Sequence, residues 1–295
     1  NVSLAGERGI PCIDIGKKCN VNLQIAGENE LRTGGIRVPD SSALTVVGDG
    51  NLTINLNSGK YYGIGNSLDE YNGELNFYQD GGIIINANGM KGIGIGSGLG
   101  GVINIKRGHY EFDMKGQEGA CIGSVNGDSE LFIEYCDMDI YSGISNGTII
   151  GSVNGDADIK LENISAKLQG AGNIITGIGT IAGNSCMVRL ENVNISSNIR
   201  AKECYGIGCR AGRTNIYIGY AAVKSVVQGK AAVAFGNSIM SAKLYCSNAD
   251  IGTNAVTEFN SDIGALEKNI QLENGRAEFI LNGQEVKRQI LAARL

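Results

Sequence analysis

Two aspartates occupy the same place in a repeated heptapeptide. The run Ile-Gly-Ser-Val-Asn-Gly-Asp occurs twice and ends once at Asp128 and once at Asp156. If the two copies stack, these carboxylates and the neighbouring Asn126 and Asn154 offer the oxygen ligands that Ca²⁺ prefers. The alternative is that Asn-Gly-Asp is ordinary turn chemistry, which needs no metal. The sequence therefore predicts a stacked pair of aspartates as a candidate calcium site.

A second set of residues points outward on one predicted strand of successive repeats. It combines aromatic rings with cations, namely Phe132, Lys160, Arg189, Tyr217 and Tyr245. Aromatic rings stack on sugar rings, and Lys and Arg pair with the carboxylates of uronic acids. The same face is suited to receive another protein. The alternative is a sheet surface that simply carries residues of high strand propensity. We predict a site for glycan or protein recognition.

Catalysis has weaker support in the sequence. Glu134, Glu162 and Glu191 stand at equivalent positions, where stacked carboxylates repel one another unless a cation, Lys or Arg neutralises them. The single histidine, His109, falls in an outward phase, so we expect an exposed, solvated side chain. A general base at this position is the alternative. No convergent set of catalytic residues emerges, so the sequence favours a non-catalytic protein and keeps an enzyme as the alternative.

A repeat of about 28 residues must position these side chains. Its anchor is the pair Ile-Gly followed by Asn, Ser, Thr or Cys, and the anchor glycines are Gly65, Gly96, Gly123, Gly151, Gly179, Gly208 and the divergent Gly236. They lie 31, 27, 28, 28, 29 and 28 residues apart. A second glycine follows most anchors after four residues. We expect these glycines at corners that need positive φ or close packing of neighbouring coils.

Between the anchors, apolar residues recur at every second position. Leu131 and Ile133, for example, are followed one repeat later by Ile159 and Leu161. This period is typical of strands with one buried face, whereas a helix would need a period of 3.6. The sequence therefore predicts an all-β fold, a right-handed parallel β-helix or β-solenoid with about three short strands per coil.

The two ends of the chain depart from this regularity. We predict a parallel β-helix over residues 1–260, with irregular first coils over 20–57. Residues 261–295 are expected to form a small C-terminal cap or tail. Asn274-Gly275 and Asn282-Gly283 predict hairpin turns there, and the segment from Glu285 to Leu295 predicts a helix.

The charge and hydropathy of the chain argue against two kinds of partner, nucleic acid and the interior of a membrane. The chain has 25 Lys and Arg against 30 Asp and Glu, a net charge of −5, which argues against non-specific nucleic-acid binding. The charge is unevenly spread, since residues 1–188 carry 12 basic and 21 acidic residues and residues 189–243 carry 8 and 2. A solenoid converts this into an acidic part followed by a basic part along its axis. No run of residues is apolar over the length of a membrane span.

Eight cysteines show no paired zinc-binding spacing. Several fall in apolar phases of the repeat, so we expect most to be buried free thiols rather than disulfides. No signal peptide opens the chain, and its start at Asn1 without Met is expected for a mature or truncated fragment.

The Ile-Gly-Ser/Asn repeats resemble the glycine-rich β-helix repeats of bacterial surface proteins. The opening is similar too, with Val21-Asn22-Leu23-Gln24-Ile25 and the run from Gly48 to Ile54. The resemblance covers most of residues 1–250. It implies an extracellular or cell-surface module that binds carbohydrate or acts as an adhesin. The eight cysteines are a departure, and they keep an intracellular location open.

The sequence is compatible with three functions, of which the first is favoured. The first is a non-catalytic bacterial surface module for glycan binding or adhesion, with a polysaccharide, a host glycan or another surface protein as its partner. The second is a polysaccharide lyase or hydrolase that acts on acidic glycans, which rests on analogy with other β-helix enzymes. The third is a structural spacer in a larger surface protein.

Overall fold

A computed structural model describes residues 1–7, 9–57, 59–259, 270–281 and 284–291. The described part contains only strands and turns, and nearly all strand pairs are parallel. Each strand pairs with the strand about one repeat later, which produces a β-solenoid of about nine turns. The predicted all-β parallel solenoid with a repeat of about 28 residues is confirmed.

The first strands of the coils form one face of the solenoid, and the outward ladder that the sequence predicts lies on this face. These strands are β3 (Asn20–Ile25), β6 (Ala43–Gly48), β12 (Asp128–Glu134), β14 (Ala157–Glu162), β16 (Ser185–Glu191) and β18 (Arg213–Gly219). Four longer strands begin on this face and continue round the corner, namely β9 (Glu74–Asn88), β11 (Gly100–Ser124), β20 (Ala242–Phe259) and β21 (Ile270–Leu281). All are stacked in register from β3 to β21.

The second and third segments of the coils complete the walls. They comprise β1 (Val2–Ala5), β4 (Glu28–Arg32), β7 (Asn51–Asn57), β13 (Cys136–Ser152), β15 (Ser165–Thr180), β17 (Asn194–Cys209) and β19 (Ala222–Gly236). The first coils use separate short strands for the third segment, namely β2 (Ile13–Asp14), β5 (Ile36–Arg37), β8 (Lys60–Gly65) and β10 (Lys91–Ser97). The predicted early coils over 20–57 are thus strands of the same stack.

Alternating burial fills the interior of the solenoid. In β12 and β14 the inward residues Leu131, Ile133, Ile159 and Leu161 are at most 1% exposed, while their neighbours face outward. Burial of such aliphatic side chains contributes roughly 1.5–3 kcal/mol each. Because one coil cannot cover its own apolar edge, this contribution depends on the coils above and below.

The anchor glycines form one column at a corner. Gly151 and Gly179, for example, are register partners, with φ values of 133° and 135°. A Cβ atom on Gly179 would lie 1.8 Å from the carbonyl oxygen of Gly208 in the next coil. Both the left-handed conformation and the lack of space therefore require glycine, as predicted.

The residue after each anchor glycine forms a buried hydrogen-bonding column. Ser152 Oγ donates to the Gly127 carbonyl at 2.8 Å and accepts from the Gly155 amide at 2.8 Å. Thr180 Oγ1 repeats the pattern, with the Gly155 carbonyl at 2.7 Å and the Gly183 amide at 3.1 Å. These contacts satisfy backbone groups that the turn would otherwise leave without partners, which explains the polar third position of the anchor.

The turns also bury a small second apolar cluster outside the main core. Leu68, Ile93, Val125, Val153 and Ile181 pack there, and each is at most 7% exposed. The valines of the two Ile-Gly-Ser-Val-Asn-Gly-Asp copies belong to this cluster. Sequence reasoning missed it because all of these residues except Ile93 stand in turns rather than in strands.

The C-terminal strands differ from the sequence prediction. β21 pairs in parallel with β20, with Gly275 opposite Ala249, so the hairpin predicted at Asn274-Gly275 is wrong. Parallel stacking therefore continues beyond residue 260. The last strand, β22 (Gln284–Leu291), pairs antiparallel with β21, so the helix predicted from residue 285 is wrong as far as residue 291. The turn predicted at Asn282-Gly283 and residues 292–295 lie outside the described residues.

The eight cysteines are all free thiols. Six are buried, namely Cys121, Cys136, Cys186, Cys204, Cys209 and Cys246. Burial raises the pKa of Cys121, Cys136, Cys204 and Cys246 to about 12. The prediction that most cysteines are buried free thiols is confirmed.

Candidate functional site

The predicted outward residues form a single ladder. Phe132, Lys160, Arg189, Tyr217 and Tyr245 are consecutive register partners on β12, β14, β16, β18 and β20. Lys160 and Tyr217 are exposed, and the other three are half-buried. The fold thus presents three aromatic rings and two cations to solvent in one line along the axis. We call these five residues the aromatic–cation ladder.

The two tyrosines of this ladder stack on each other. The ring centroids of Tyr217 and Tyr245 are 4.8 Å apart, and the rings are inclined by 7°. Each ring therefore covers one face of the other. What the pair presents to a ligand is mainly ring edges and hydroxyl groups, which suit hydrogen bonding better than face-on stacking with a sugar.

The two cations of the ladder already have acidic partners. Lys160 Nζ lies 2.7 Å from Glu162 Oε2, and Arg189 Nη1 lies 2.6 Å from Asp158 Oδ1. The hydrogen bond with Glu162 is the main reason that the pKa of Lys160 is raised. An anionic ligand would have to compete with these carboxylates for the two cations.

The predicted glutamate ladder is present at the corner that ends the first strands. Glu134 pairs in register with Glu162, and Glu162 with Glu191. Lys106 forms an ion pair with Glu134, and Lys160 forms one with Glu162. Neighbouring lysines thus neutralise two of the three stacked carboxylates. A lysine in place of a bound cation is sufficient to offset the repulsion between them.

Asp128 and Asp156 stack as predicted, and their carboxylates bind backbone groups. Asp128 Oδ1 accepts from the Asp156 amide at 2.8 Å. Asp156 Oδ1 accepts from the amides of Asn184 and Ser185 at 2.7 and 3.0 Å. Among the described residues, no group of three or more His, Cys, Asp or Glu is arranged to hold a metal ion. This arrangement favours the turn-chemistry interpretation over a calcium site.

His109 is exposed and stands in register with Asp137, as the repeat phase predicts. It lines an open groove of about 430 Å³ on the second strand of the coils, together with Asp137, Asp139, Ser165 and Lys167. Lys167 Nζ lies 3.1 Å from Asp139 Oδ2. The groove brings the only imidazole near two carboxylates; the stacking of His109 on Asp137 follows from the repeat, whereas the part played by Asp139 and Lys167 in the same groove was not anticipated.

A further column lies at the corner after the first strands. Its residues all have left-handed backbone conformation, and they are Tyr135, Asn163, Asn192, Tyr220 and Asn248, with φ between 45° and 53°. We call this set the corner column. Tyr135 and Tyr220 are 62% and 64% exposed. Sequence reasoning missed the shared conformation, although asparagine at equivalent corner positions was a signal for it.

The fold and these side chains define a parallel β-solenoid with polar and aromatic ladders on its outer surface. Comparison with family models, with curated proteins and with solved structures finds no match. In the described part of the chain, no helix has the length and apolar character needed to cross a membrane.

Proposed function

We propose that this chain is a non-catalytic β-solenoid module of a bacterial cell surface that binds glycans or mediates adhesion. The observation that carries the proposal is the aromatic–cation ladder, which runs unbroken over five consecutive coils. A linear ladder of hydrogen-bonding and aromatic groups suits a linear polymer better than a compact metabolite. The extracellular or cell-surface location is supported by the resemblance of the repeats to surface proteins.

The two tyrosine hydroxyls and the ring edges would contact sugar hydroxyls, and Phe132 would supply an apolar surface. Lys160 and Arg189 would bind acidic groups of a glycan when these displace Glu162 and Asp158. Binding through the cations is electrostatic and should weaken as salt is added.

The test is a glycan array probed with the protein, with and without Ca²⁺, followed by titration of the best ligand. Tyr217→Ala and Phe132→Ala should each weaken binding at least tenfold. Tyr78→Ala is the matched control, because Tyr78 is 40% exposed, as Tyr217 is, and lies outside the ladder. Absence of binding to any glycan would contradict the proposal and favour a structural spacer. Equal losses for all three variants would contradict the role of the ladder.

The groove at His109 favours a second candidate, a polysaccharide lyase or hydrolase that acts on acidic glycans. A hydrolase needs two carboxylates, and a lyase needs a base, and Asp137, Asp139 and His109 supply both kinds of group. The test is release of reducing or unsaturated sugars from polygalacturonate. Activity that Asp137→Asn or His109→Gln abolishes would support this candidate, and activity that survives both variants would contradict it.

A further inference from the structure

Two tyrosines occupy backbone positions that suit asparagine. Tyr135 and Tyr220 have φ of 52° and 45°, in the left-handed region where a bulky side chain is a genuine outlier. The other members of the corner column are asparagines, which tolerate this conformation far better. A non-glycine residue held there carries backbone strain that the surrounding structure must offset. The fold alone would therefore be served better by asparagine at both positions.

The strained tyrosines gain little from burial. Their side chains are among the most exposed of the large apolar residues, at 62% for Tyr135 and 64% for Tyr220. In the described part of the chain neither ring stacks on another aromatic ring, in contrast with Tyr217 and Tyr245. About six-tenths of the surface of each corner tyrosine is therefore accessible to a ligand. Strain and exposure together indicate that the side chains serve recognition rather than stability.

The surroundings of Tyr220 suit an uncharged sugar. An open groove of about 530 Å³ runs along the corner, and its polar side chains are Asn192, Asn194, Tyr220, Asn248 and Asp250. Asn192, which lines this groove, donates one Nδ2 hydrogen to Asn163 Oδ1 at 2.5 Å, and an amide side chain has a second hydrogen and an acceptor oxygen for further partners. Amides and hydroxyls of this kind exchange hydrogen bonds with sugar hydroxyls. The one charged group, Asp250, disfavours an anionic ligand.

The spacing of the column suits an extended chain. Tyr135 and Tyr220 are three coils apart, with Asn163 and Asn192 between them, which is about 14 Å at the strand spacing of a sheet. The rise of one coil is comparable with the length of one pyranose ring in an extended polysaccharide. A glycan parallel to the axis would therefore meet successive corner residues with successive sugars.

We propose that the corner column is a binding track for an uncharged, extended, β-linked glycan. Tyr135 and Tyr220 stack on sugar rings three coils apart, and Asn163 and Asn192 form hydrogen bonds to the hydroxyls between them. The inference rests on the proposed glycan-binding function and deepens it, because it names the ligand class and moves the stacking platform from the ladder to the corner. The aromatic–cation ladder would then lie beside this track.

The test is calorimetric titration with cellohexaose and with the hexamer of β-1,4-linked N-acetylglucosamine, against hexagalacturonate as the anionic comparison. Tyr135→Asn and Tyr220→Asn should each weaken binding of a neutral hexamer at least tenfold. The urea midpoint of both variants should stay the same or rise, because asparagine relieves the backbone strain. Loss of binding with a lower midpoint would overturn the proposal, since damage to the fold would explain it.

The outcomes separate this inference from the general function. If the unmodified protein binds no glycan at all, both fail together. If it binds a glycan and Tyr217→Ala abolishes binding while Tyr135→Asn and Tyr220→Asn do not, only the corner track is overturned. Preference for hexagalacturonate over both neutral hexamers would also overturn the corner track and leave the ladder as the site.

Discussion

The rings of Tyr217 and Tyr245 lie face to face, 4.8 Å between centroids, on neighbouring strands of one parallel sheet. This separation equals the usual distance between paired strands, about 4.8 Å. The register of the solenoid thus imposes the stack, and the two side chains need no special rotamer to reach each other. The same geometry hides one face of each ring from any ligand.

The stacked pair should contribute a measurable coupling energy. A double-mutant cycle with Tyr217→Ala and Tyr245→Ala, followed by urea unfolding, should give about 0.5–1.5 kcal/mol. The control is the pair Phe132 and Tyr245, which belong to the same ladder but lie four strands apart. That second cycle should give no coupling. Equal coupling energies in both cycles would contradict a contribution of the ring contact. They would mean that the coupling energy arises from the cooperative unfolding of neighbouring coils.

Replacement by alanine should affect the stability of the protein very differently at two glycines. Gly179→Ala should destabilise the protein by at least about 3 kcal/mol, because its Cβ would lie 1.8 Å from a backbone oxygen in the next coil. Gly252→Ala should change stability by less than about 0.5 kcal/mol, since a Cβ there meets no atom within 4 Å. Thermal unfolding of the two variants is the measurement. A stable Gly179→Ala protein would contradict the close packing of the anchor column.

Much of the fold could be predicted because stacking repeats the same residue types. The spacing of about 28 residues between Ile-Gly anchors indicates the register, and the register places Phe132 between Asn104 and Lys160. The C-terminal strand was missed because Asn274-Gly275 is a strong hairpin signal, and here stacking on β20 outweighs it. The signal that would have corrected the error is Ile263-Gly264, which follows Gly236 by the repeat length of 28 residues.

The site was predictable only in part. The order of the ladder follows from the repeat, but the ion pairs of Lys160 and Arg189 depend on side-chain directions that the sequence does not specify. The corner column needs a left-handed backbone at Tyr135 and Tyr220, and tyrosine gives no signal for that conformation. Local propensity and the final structure disagree at these two positions, which is where functional sites are expected.

The buried thiols make a prediction about alkaline pH. Burial raises the pKa of Cys246 to about 12 and that of Cys209 to about 11, so the folded protein keeps these thiols protonated when the unfolded chain loses the protons. Their contribution to stability is complete below the unfolded pKa of about 8.5. It should be lost as the pH rises from there through 11 to 12, with up to about 1.4 kcal/mol per pH unit for each thiol.

Urea unfolding between pH 8 and pH 10.5 measures this loss. Cys246→Ala should make the decrease with pH shallower. A thiol-specific reagent at pH 8 should modify Cys19 quickly and the six buried cysteines only after denaturant is added. Rapid reaction of all eight in the native protein would contradict the buried positions.

The two stacked aspartates should stabilise the protein without a metal. Asp156 accepts two backbone amides and Asp128 accepts one, so Asp156→Ala should cost more than Asp128→Ala, about 2–3 kcal/mol against 1–2 kcal/mol. Asp156→Asn keeps an acceptor oxygen and should lie between the unmodified protein and Asp156→Ala. Melting temperatures in EDTA and in millimolar Ca²⁺ should agree. A melting temperature that rises in Ca²⁺, and no longer does so in Asp156→Ala, would instead support the calcium site, because an ion that binds only the folded state stabilises it increasingly as its concentration is raised.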